Sequence, residues 1–259
     1  MISVTIICKN EENNIEECIK SALWADEIIV VDSFSTDKTV EIAKKYTINI
    51  YQNNWKGFAE QRNFALSKAT KEWIMPLDAD ERCSPELKEE IMKIITGTDI
   101  EESGFRIPRK SFILNKWVKH CGWYPGYQLR LFRSNKVKVT DRLVHEGYEV
   151  EGKTGFLKND ILHYTINSIS EYLLKINQYS SLQAIEKADK KIVKLSDLIF
   201  RPIAAFLQQF IFKKGFLDGV YGLMVTNFDI MTNMLTYMKM WEIQHLQISD
   251  NKKQKINKE

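Results

Sequence analysis

Short apolar runs alternate with amphipathic segments over the first hundred residues. The apolar runs are rich in Ile and Val and predict four strands, at residues 2–8, 27–32, 49–51 and 73–78. The segments between them have apolar residues at helical spacing and predict helices at residues 13–23, from 37, at 58–69 and from 85. This alternation predicts an α/β fold of Rossmann-like type, with a mostly parallel sheet, right-handed crossovers and helices on both faces.

Polar residues mark three of the predicted helix starts. Asn13 begins the pattern of a capping box, and Ser35 or Thr36 is expected to cap the second helix. Ser84 is expected to cap the fourth helix, with Pro85 at its first position.

The pattern changes after about residue 103. Strands are predicted at residues 104–107, 128–133 and 161–164. From Ser168 onward the spacing predicts helices, with breaks near Leu195, Pro202 and Gly215. We therefore expect three parts: an α/β domain at residues 1–166, a helical region at 167–248 and a flexible basic tail at 249–259.

The composition is that of an ordinary globular protein. Of the 259 residues, 44% are hydrophobic and 27% are charged, which excludes a disordered or low-complexity body. The net charge is only +3, so no nucleic-acid partner is expected.

The cysteines and the apolar runs indicate where in the cell the protein is expected. The four cysteines form no CxxC pair and have no zinc-ligand spacing with the four histidines, as in a reduced cytosolic protein. No signal-peptide pattern is present, and no uncharged apolar run reaches the ~18 residues of a spanning helix. We therefore expect a cytoplasmic protein, unless a membrane surface holds it.

Acidic residues follow the predicted strands, where an open parallel sheet binds its ligands. Glu11 follows the first strand, Asp32 ends the second, and Asp78 and Asp80 end the fourth. The first glycine in the chain is Gly57, so the first turn carries neither a dinucleotide fingerprint nor a P-loop. Two carboxylates two residues apart can approach one divalent cation beside a diphosphate. The alternative is that Asp78 and Asp80 only shape the turn.

Seven segments together resemble a known family. They are IICKNEE (6–12), VVDSFSTDKT (30–39), QRN (61–63), LDADE (77–81), QLRLFR (128–133), VHE (144–146) and GFLDG (215–219). The chain resembles the family 2 glycosyltransferases, which have the GT-A fold, over about residues 1–245. Within that family it is similar to the bacterial lipopolysaccharide core, or lipooligosaccharide, β-1,4-glucosyltransferase group.

The resemblance implies an inverting, metal-dependent glycosyltransferase that uses a UDP-sugar, with UDP-glucose as the expected donor. Glu11 and Asp32 are then expected to hold the nucleotide, and Arg62 a phosphate oxygen. Asp80 would be the main ligand of Mg²⁺ or Mn²⁺, and Asp78 would contact the ribose or the metal. The other expected donor-binding residues are Lys9, Asn10, Ser35 and Arg130.

Inverting transfer also needs a base that takes the proton of the acceptor hydroxyl. Glu146 is the first choice for this base and Asp141 the second. His145 is expected to assist at the metal or the leaving phosphate, or else to be structural.

The acceptor, expected to be a lipid-linked saccharide such as the lipopolysaccharide core, needs its own contacts. Trp123 and Tyr124 are aromatic residues that either stack on the acceptor sugar or belong to the core. One of Arg130 and Arg133 is expected to face an anionic acceptor or the donor diphosphate.

The rear helices predict a membrane surface. Large apolar residues recur between residues 198 and 212, and basic residues surround them: Lys187, Lys190, Lys191, Lys194, Arg201, Lys213 and Lys214. This pattern is typical of an interfacial helix that binds an anionic leaflet, here the inner face of the cytoplasmic membrane. The alternatives are packing on the α/β domain or on a second copy. The Met-rich and aromatic helix at 216–241 is typical of core or homodimer packing.

Other functions stay open at this point. A same-fold glycosyltransferase could modify a polyprenyl phosphate, a capsule precursor or a peptide. Asp78, Asp80 and Glu146 disfavour a non-catalytic nucleotide-sugar-binding protein, since binding alone would not need a base. A nucleotidyltransferase usually has a first loop rich in glycine and arginine, which residues 9–12 lack.

Overall fold

A seven-stranded sheet organises the first part of the chain in the computed structural model, which describes residues 1–98, 100–140 and 147–256, with side chains through residue 246. The strands of the chain are β1 (Ile2–Cys8), β2 (Glu27–Asp32), β3 (Ile50–Gln52), β4 (Trp73–Asp78), β5 (Glu81–Cys83), β6 (Gly104–Ile107), β7 (Arg109–Ile113), β8 (Lys116–Trp117), β9 (Gln128–Arg133), β10 (Val137–Val139), β11 (Tyr148–Val150), β12 (Thr154–Phe156) and β13 (Ile161–Ile166). The helices are α1 (Ile15–Ala22), α2 (Thr39–Ala43), α3 (Phe58–Lys68), α4 (Pro85–Ile95), α5 (Ile169–Ala188), α6 (Leu195–Phe206) and α7 (Gly219–Ile256).

The chain divides into two compact units. The first comprises Met1–Phe112 and Tyr124–Thr165, and the second comprises Ile113–Trp123 and Ile166–Glu259.

The large sheet of the first unit is mostly parallel, as predicted. Its strand order is β12-β6-β9-β4-β1-β2-β3. β1 runs parallel to β2 and β4, and β2 runs parallel to β3, whereas β9 is antiparallel to both β4 and β6. The carboxyl ends of β1, β2, β4 and β6 therefore meet the amino end of β9 at one edge of the sheet.

Helices cover both faces of this sheet. One face packs against the apolar stripes of α1 and α4, which contribute Ile15, Ile19, Leu87 and Ile91 to the main core. On the other face, Ala65 of α3 packs against alternate residues of β2. Because both faces are covered, β2 is buried and apolar throughout residues 28–31, as predicted.

The helix caps were predicted only in part. Ser84 caps α4 by accepting a hydrogen bond from Leu87 N at 3.2 Å, with Pro85 in the first turn, as predicted. The predicted cap at Asn13 is wrong, since Asn14 precedes α1 and its side chain donates to Glu11. The predicted cap of α2 by Ser35 or Thr36 is also wrong, because this helix begins at Thr39 and both residues bond the loop after β1.

A smaller sheet follows the end of β4. There β13 is antiparallel to β5 and lies between β5 and β7, with His163 opposite Glu81. The sequence pattern did not indicate β5, whose Glu81 and Arg82 are polar and buried. This pairing brings the middle of β13 to the turn after β4.

The second unit is helical, and α7 packs against α5 and α6. A π-helical segment, Leu207–Phe212, continues α6. A short turn, Gly215–Asp218, precedes α7. The predicted breaks near Leu195 and Gly215 are confirmed, but the break at Pro202 is wrong because this residue lies inside α6. Pro202 costs the helix one backbone hydrogen bond without ending it.

One helical stretch in the described part of the chain, Leu195–Phe212, is long and apolar enough to cross a membrane by length and composition. It contains Asp197 and Arg201, and neither α6 nor the π-helical segment has a buried residue.

Candidate active site

The loops after β1 and β2 are tied together by side chains that were predicted to bind the donor. Ser35 Oγ accepts a hydrogen bond from Asn10 N at 2.8 Å, and Asn10 Oδ1 accepts one from Thr36 N at 2.8 Å. Asn10 (φ 54°) and Phe34 (φ 57°) adopt the left-handed conformation that such tight turns require. The two loops therefore form one connected rim at the carboxyl edge of the sheet.

Asp32 lies beneath this rim. Its carboxylate is buried and accepts hydrogen bonds from Ser35 N at 3.0 Å and from Ser35 Oγ at 2.5 Å. Cys8, on the neighbouring strand, lies 3.8 Å from Asp32 Oδ1, and burial followed by the charge of Asp32 raises the pKa of this thiol. Asp32 thus orders the rim, while Lys9 is exposed and Glu11 is half-buried.

Asp78, at the end of β4, is held by two arginines. Its Oδ2 lies 2.5 Å from Arg130 Nη2, and its Oδ1 lies 3.3 Å from Arg62 Nη2. Arg130 also reaches buried Glu81, with Nη2 at 3.1 Å from Oε1. Burial alone would raise the pKa of Asp78, but the two guanidinium groups outweigh it and hold this pKa below its usual value. The structure thus brings together Arg62, Asp78 and Arg130, which lie far apart in the chain.

Asp80 faces a histidine instead. His163 Nε2 lies 3.5 Å from Asp80 Oδ2, and the other ring nitrogen, Nδ1, lies 3.3 Å from Ser111 Oγ. Sequence reasoning missed His163, although it stands in a predicted strand. The only signal was an isolated polar residue in an apolar run, and its register against β5 is a tertiary feature.

The spacing of Asp80 and His163 suits a divalent cation. A separation of 3.5 Å is beyond a good hydrogen bond. Two adjacent ligands of an octahedral cation with ~2.1 Å bonds lie ~3 Å apart, so the pair is close to that spacing. Ser111 can fix the tautomer of the ring, as outer groups do for metal-binding histidines. In the described part of the chain no group of three or more His, Cys, Asp or Glu side chains could hold a metal, so substrate oxygens would have to complete the shell.

The predicted acceptor aromatics fall in different units. Trp123 packs at the edge of the apolar core of the second unit, and Tyr124 belongs to the first unit, where its hydroxyl bonds Asp160. Burial raises the pKa of Asp160. The predicted base residues Glu146, Asp141 and His145 lie outside the described residues.

A cavity opens beside Asp78, on the β9 side. It is lined mainly by polar side chains: Arg62, Arg106, Gln128, Arg130 and Tyr148. The guanidinium carbon of Arg62 lies 5.5 Å from the centre of the Tyr148 ring, within cation–π range. Burial raises the pKa of Tyr148 to about 12, so its hydroxyl stays protonated near neutral pH.

A mostly parallel sheet with helices on both faces and polar loops at its carboxyl edge, in a chain that matches a glycosyltransferase family model, is a GT-A type fold. The chain belongs to the glycosyl transferase family 2, whose family model matches residues 3–146. It is therefore a glycosyltransferase, as the sequence predicted.

Curated relatives align over most of the chain. The lipopolysaccharide core biosynthesis glycosyltransferase LpsC of Rhizobium meliloti is 32% identical over 222 residues, which cover 83% of this chain and 82% of the relative. The uncharacterized glycosyltransferase RP128 of Rickettsia prowazekii is 33% identical over 238 residues, which cover 85% and 80%.

Solved structures align less closely. Residues 1–349 of S. aureus TarS, in complex with UDP-GlcNAc, are 17% identical with a TM-score of 0.47, covering 71% of this chain and 64% of that one. The glucosyl-3-phosphoglycerate synthase from Mycobacterium tuberculosis, in complex with Mn²⁺ and UDP-glucose, is 26% identical with a TM-score of 0.35, covering 44% and 43%. The chain thus spans less than two thirds of each of these structures.

Proposed function

We propose that this glycosyltransferase moves a sugar, with inversion, from a UDP-sugar to a hydroxyl of a lipid-linked saccharide such as the lipopolysaccharide core. The observation that carries the proposal is the Asp80–His163 pair, 3.5 Å apart, beside the arginine-bound Asp78 at the carboxyl edge of the sheet. UDP-glucose is the proposed donor. The lipopolysaccharide acceptor is supported by the similarity to LpsC of Rhizobium meliloti.

Asp80 and His163 would hold Mg²⁺ or Mn²⁺. When bound, the cation would supply positive charge that stabilises the diphosphate leaving group. Each oxygen of Asp78 already contacts a guanidinium, so Asp78 would have to give up one of these contacts to bind the cation. Asp78 instead fixes two arginines, of which Arg62 is proposed to face the donor phosphates. The rim formed by Asn10 and Ser35 would position the nucleotide, with Asp32 ordering the rim from below.

The remaining step is proton removal from the acceptor. Glu146 is the proposed base, with Asp141 as the alternative. The acceptor oxygen bonds to the anomeric carbon as the bond from that carbon to the diphosphate oxygen breaks, and the base takes the hydroxyl proton. The electron pair of the broken bond leaves with UDP, so charge and atoms balance.

A lipid-linked acceptor requires the enzyme to work at a membrane, and α6 with the π-helical segment has the surface for it. Several of their large apolar side chains are exposed, among them Phe200 at 66% and Phe212 at 77%. Seven basic residues lie between positions 186 and 218, and of the four acidic ones Asp197 and Asp218 are largely covered and bound to neighbouring side chains. An apolar face with a basic rim complements an anionic leaflet. We infer a peripheral position on the cytoplasmic face of the membrane.

The experiment for the donor site is UDP release from a panel of nucleotide sugars, with and without Mn²⁺. We expect UDP-glucose to be hydrolysed slowly in the absence of acceptor, and EDTA or Asp80→Asn to abolish this release. The exposed Asp189→Asn is the matched control and should keep it. Release that survives both EDTA and Asp80→Asn would contradict the proposed cation site.

The base is tested separately. Glu146→Gln should keep Mn²⁺-dependent UDP binding and lose transfer, because a neutral amide cannot take the proton. Unchanged transfer would move the role to Asp141.

A further inference from the structure

The described lining of the cavity beside Asp78 is positively charged. Arg62 and Arg130 both contact Asp78, and Arg130 and Arg109 both reach Glu81, with Arg109 Nη1 at 3.6 Å from Oε1. Arg106 also lines the cavity, is exposed, and forms no ion pair with any residue that the structure describes. Three of these arginines, Arg62, Arg106 and Arg130, line the cavity, and no acidic side chain is among its lining residues in the described part of the chain.

A buried donor in this cavity also lacks an acceptor. Arg130 is only 4% exposed, and its Nη1 has no hydrogen-bond partner among residues 1–98, 100–140 and 147–246. Its other terminal nitrogen, Nη2, is already bound to Asp78 and Glu81. Because buried donors are nearly always satisfied, this nitrogen indicates an acceptor atom that the described residues do not supply. The arginine-rich lining and the unsatisfied Nη1 of Arg130 together favour binding of an oxyanion.

The position of the cavity separates it from the nucleotide. The rim of Asn10 and Ser35 lies at the ends of β1 and β2, and Asp80 follows β4. The cavity lies at the same edge but on β9 and β6, where Gln128 pairs with Ile107. The strand order β6-β9-β4-β1-β2 therefore places the cation pair between the nucleotide rim and the cavity.

We propose that this cavity is an oxyanion subsite that binds a phosphate or carboxylate group of the acceptor, through Arg106 and the Nη1 of Arg130. The inference rests on the proposed transfer reaction, because in an inverting transfer the acceptor approaches the sugar from the side away from the diphosphate. Gln128 and the Tyr148 hydroxyl add neutral donors to the same cavity. The acceptor is then an anionic saccharide, and Arg106 contributes to its selection over neutral sugars.

The test uses the full chain and inorganic phosphate as the probe, since phosphate carries the charge without the sugar. Thermal melts are recorded over a phosphate series, with chloride replacing phosphate at constant ionic strength, in the absence and in the presence of saturating UDP and Mn²⁺. We expect phosphate to raise the melting temperature in both arms. Arg106→Gln should weaken apparent phosphate affinity at least tenfold, Arg106→Lys less, and the exposed Lys138→Gln not at all.

Three results would overturn the proposed oxyanion subsite. A phosphate shift that disappears once UDP is bound would assign the arginines to the donor diphosphate. A shift that is equal in Arg106→Gln and Lys138→Gln would show an adventitious ion only, and no shift in either arm would show no anion site. Failure of UDP alone to shift the melt would refute the donor assignment without touching the phosphate result, so the two proposals fail separately.

Discussion

The guanidinium of Arg130 and the carboxylate of Asp78 form a short ion pair, with Nη2 and Oδ2 2.5 Å apart, at the junction of β4 and β9. The side chain of Arg130 is only 5% exposed, and the same nitrogen also reaches the fully buried Glu81. One guanidinium group therefore bridges the partly exposed Asp78 and the fully buried Glu81.

Removal of the Arg130 guanidinium should therefore lower the stability of the protein. We expect Arg130→Met to lower the free energy of unfolding by about 3 to 5 kcal/mol, because it removes the nearest cationic partner of the fully buried Glu81 and of Asp78. Arg133→Met is the matched control on the same strand, since Arg133 pairs with the exposed Glu72 and its loss should cost at most about 1 kcal/mol. Urea unfolding of both variants measures the difference, and equal losses would mean that the Arg130 contacts add no more stability than the exposed pair of Arg133 and Glu72.

A second prediction concerns His163. His163→Ala should weaken Mn²⁺ binding in the presence of UDP at least about tenfold, because it removes a ligand of the proposed cation. Ser111→Ala should weaken it less, since Ser111 only orients the ring. Titration with Mn²⁺, followed by the electron paramagnetic resonance of the free ion, measures this. His245→Ala, on the surface of α7, is the control, and an affinity of His163→Ala equal to that of the control would exclude His163 from the site.

The sequence predicted the parts of this molecule that depend on local pattern. The predicted apolar residues are buried in β1, β2 and β4, and so is the apolar stripe of α1. The sequence did not predict β5, because Glu81 and Arg82 are polar. Ion pairing and hydrogen bonds allow these two side chains to be buried. Strand propensity does not reveal such compensation.

The sequence predicted that the acidic residues of the site lie at strand ends. It did not predict which side chains they contact. That Asp78 and Asp80 follow β4 is a matter of sequence, and their carboxylates were assigned to one cation. The contacts differ because Arg130 arrives from β9 and His163 from β13, and both registers are set by tertiary pairing. Arg106 gave no signal at all, since an isolated exposed arginine in a short strand is common.

Gly222 offers a test of packing in the second unit. A Cβ atom at this position would lie 1.9 Å from the carbonyl oxygen of Gly215, which is backbone and cannot rotate away. We expect Gly222→Ala to destabilise the protein by at least about 2 kcal/mol, through displacement of the turn before α7. Asn227→Ala, an exposed position on α7, should change stability by less than about 0.5 kcal/mol. Circular dichroism melts compare the two, and equal stability would show that the turn yields.

Asp229 on α7 predicts a pH dependence. Burial raises its pKa to about 6 from the usual 3.8, against the attraction of Lys213. Because the folded-state pKa is the higher one, the carboxyl contributes most to stability below about pH 3.8, and that contribution is lost as the pH rises through about 6. The loss is at most about 3 kcal/mol.

Asp229→Asn should therefore stabilise the protein at pH 7.5 and have little effect near pH 4. Its amide oxygen can still accept the hydrogen bond that Gln209 donates to Oδ2 at 2.7 Å. Urea unfolding across this pH range, with the exposed Asp189→Asn as control, measures the effect. A stability difference that does not vary with pH would contradict the raised pKa.

The apolar face of α6 and the π-helical segment provides the last prediction. We expect the double variant Phe200→Ser, Phe212→Ser to bind vesicles of phosphatidylcholine and phosphatidylglycerol at least about tenfold more weakly than the parent, because each inserted side chain of this size contributes about 1.5 to 3 kcal/mol. Phe156→Ser is the control, since Phe156 is a phenylalanine of similar exposure, 62%, in the first unit. Co-sedimentation at two salt concentrations separates the apolar from the electrostatic contribution, and high salt should release the parent protein from the vesicles. If the double variant sediments as the parent does, this face binds something other than lipid. If the parent resists both salt and carbonate, the segment Leu195–Phe212 spans the bilayer instead of lying on it.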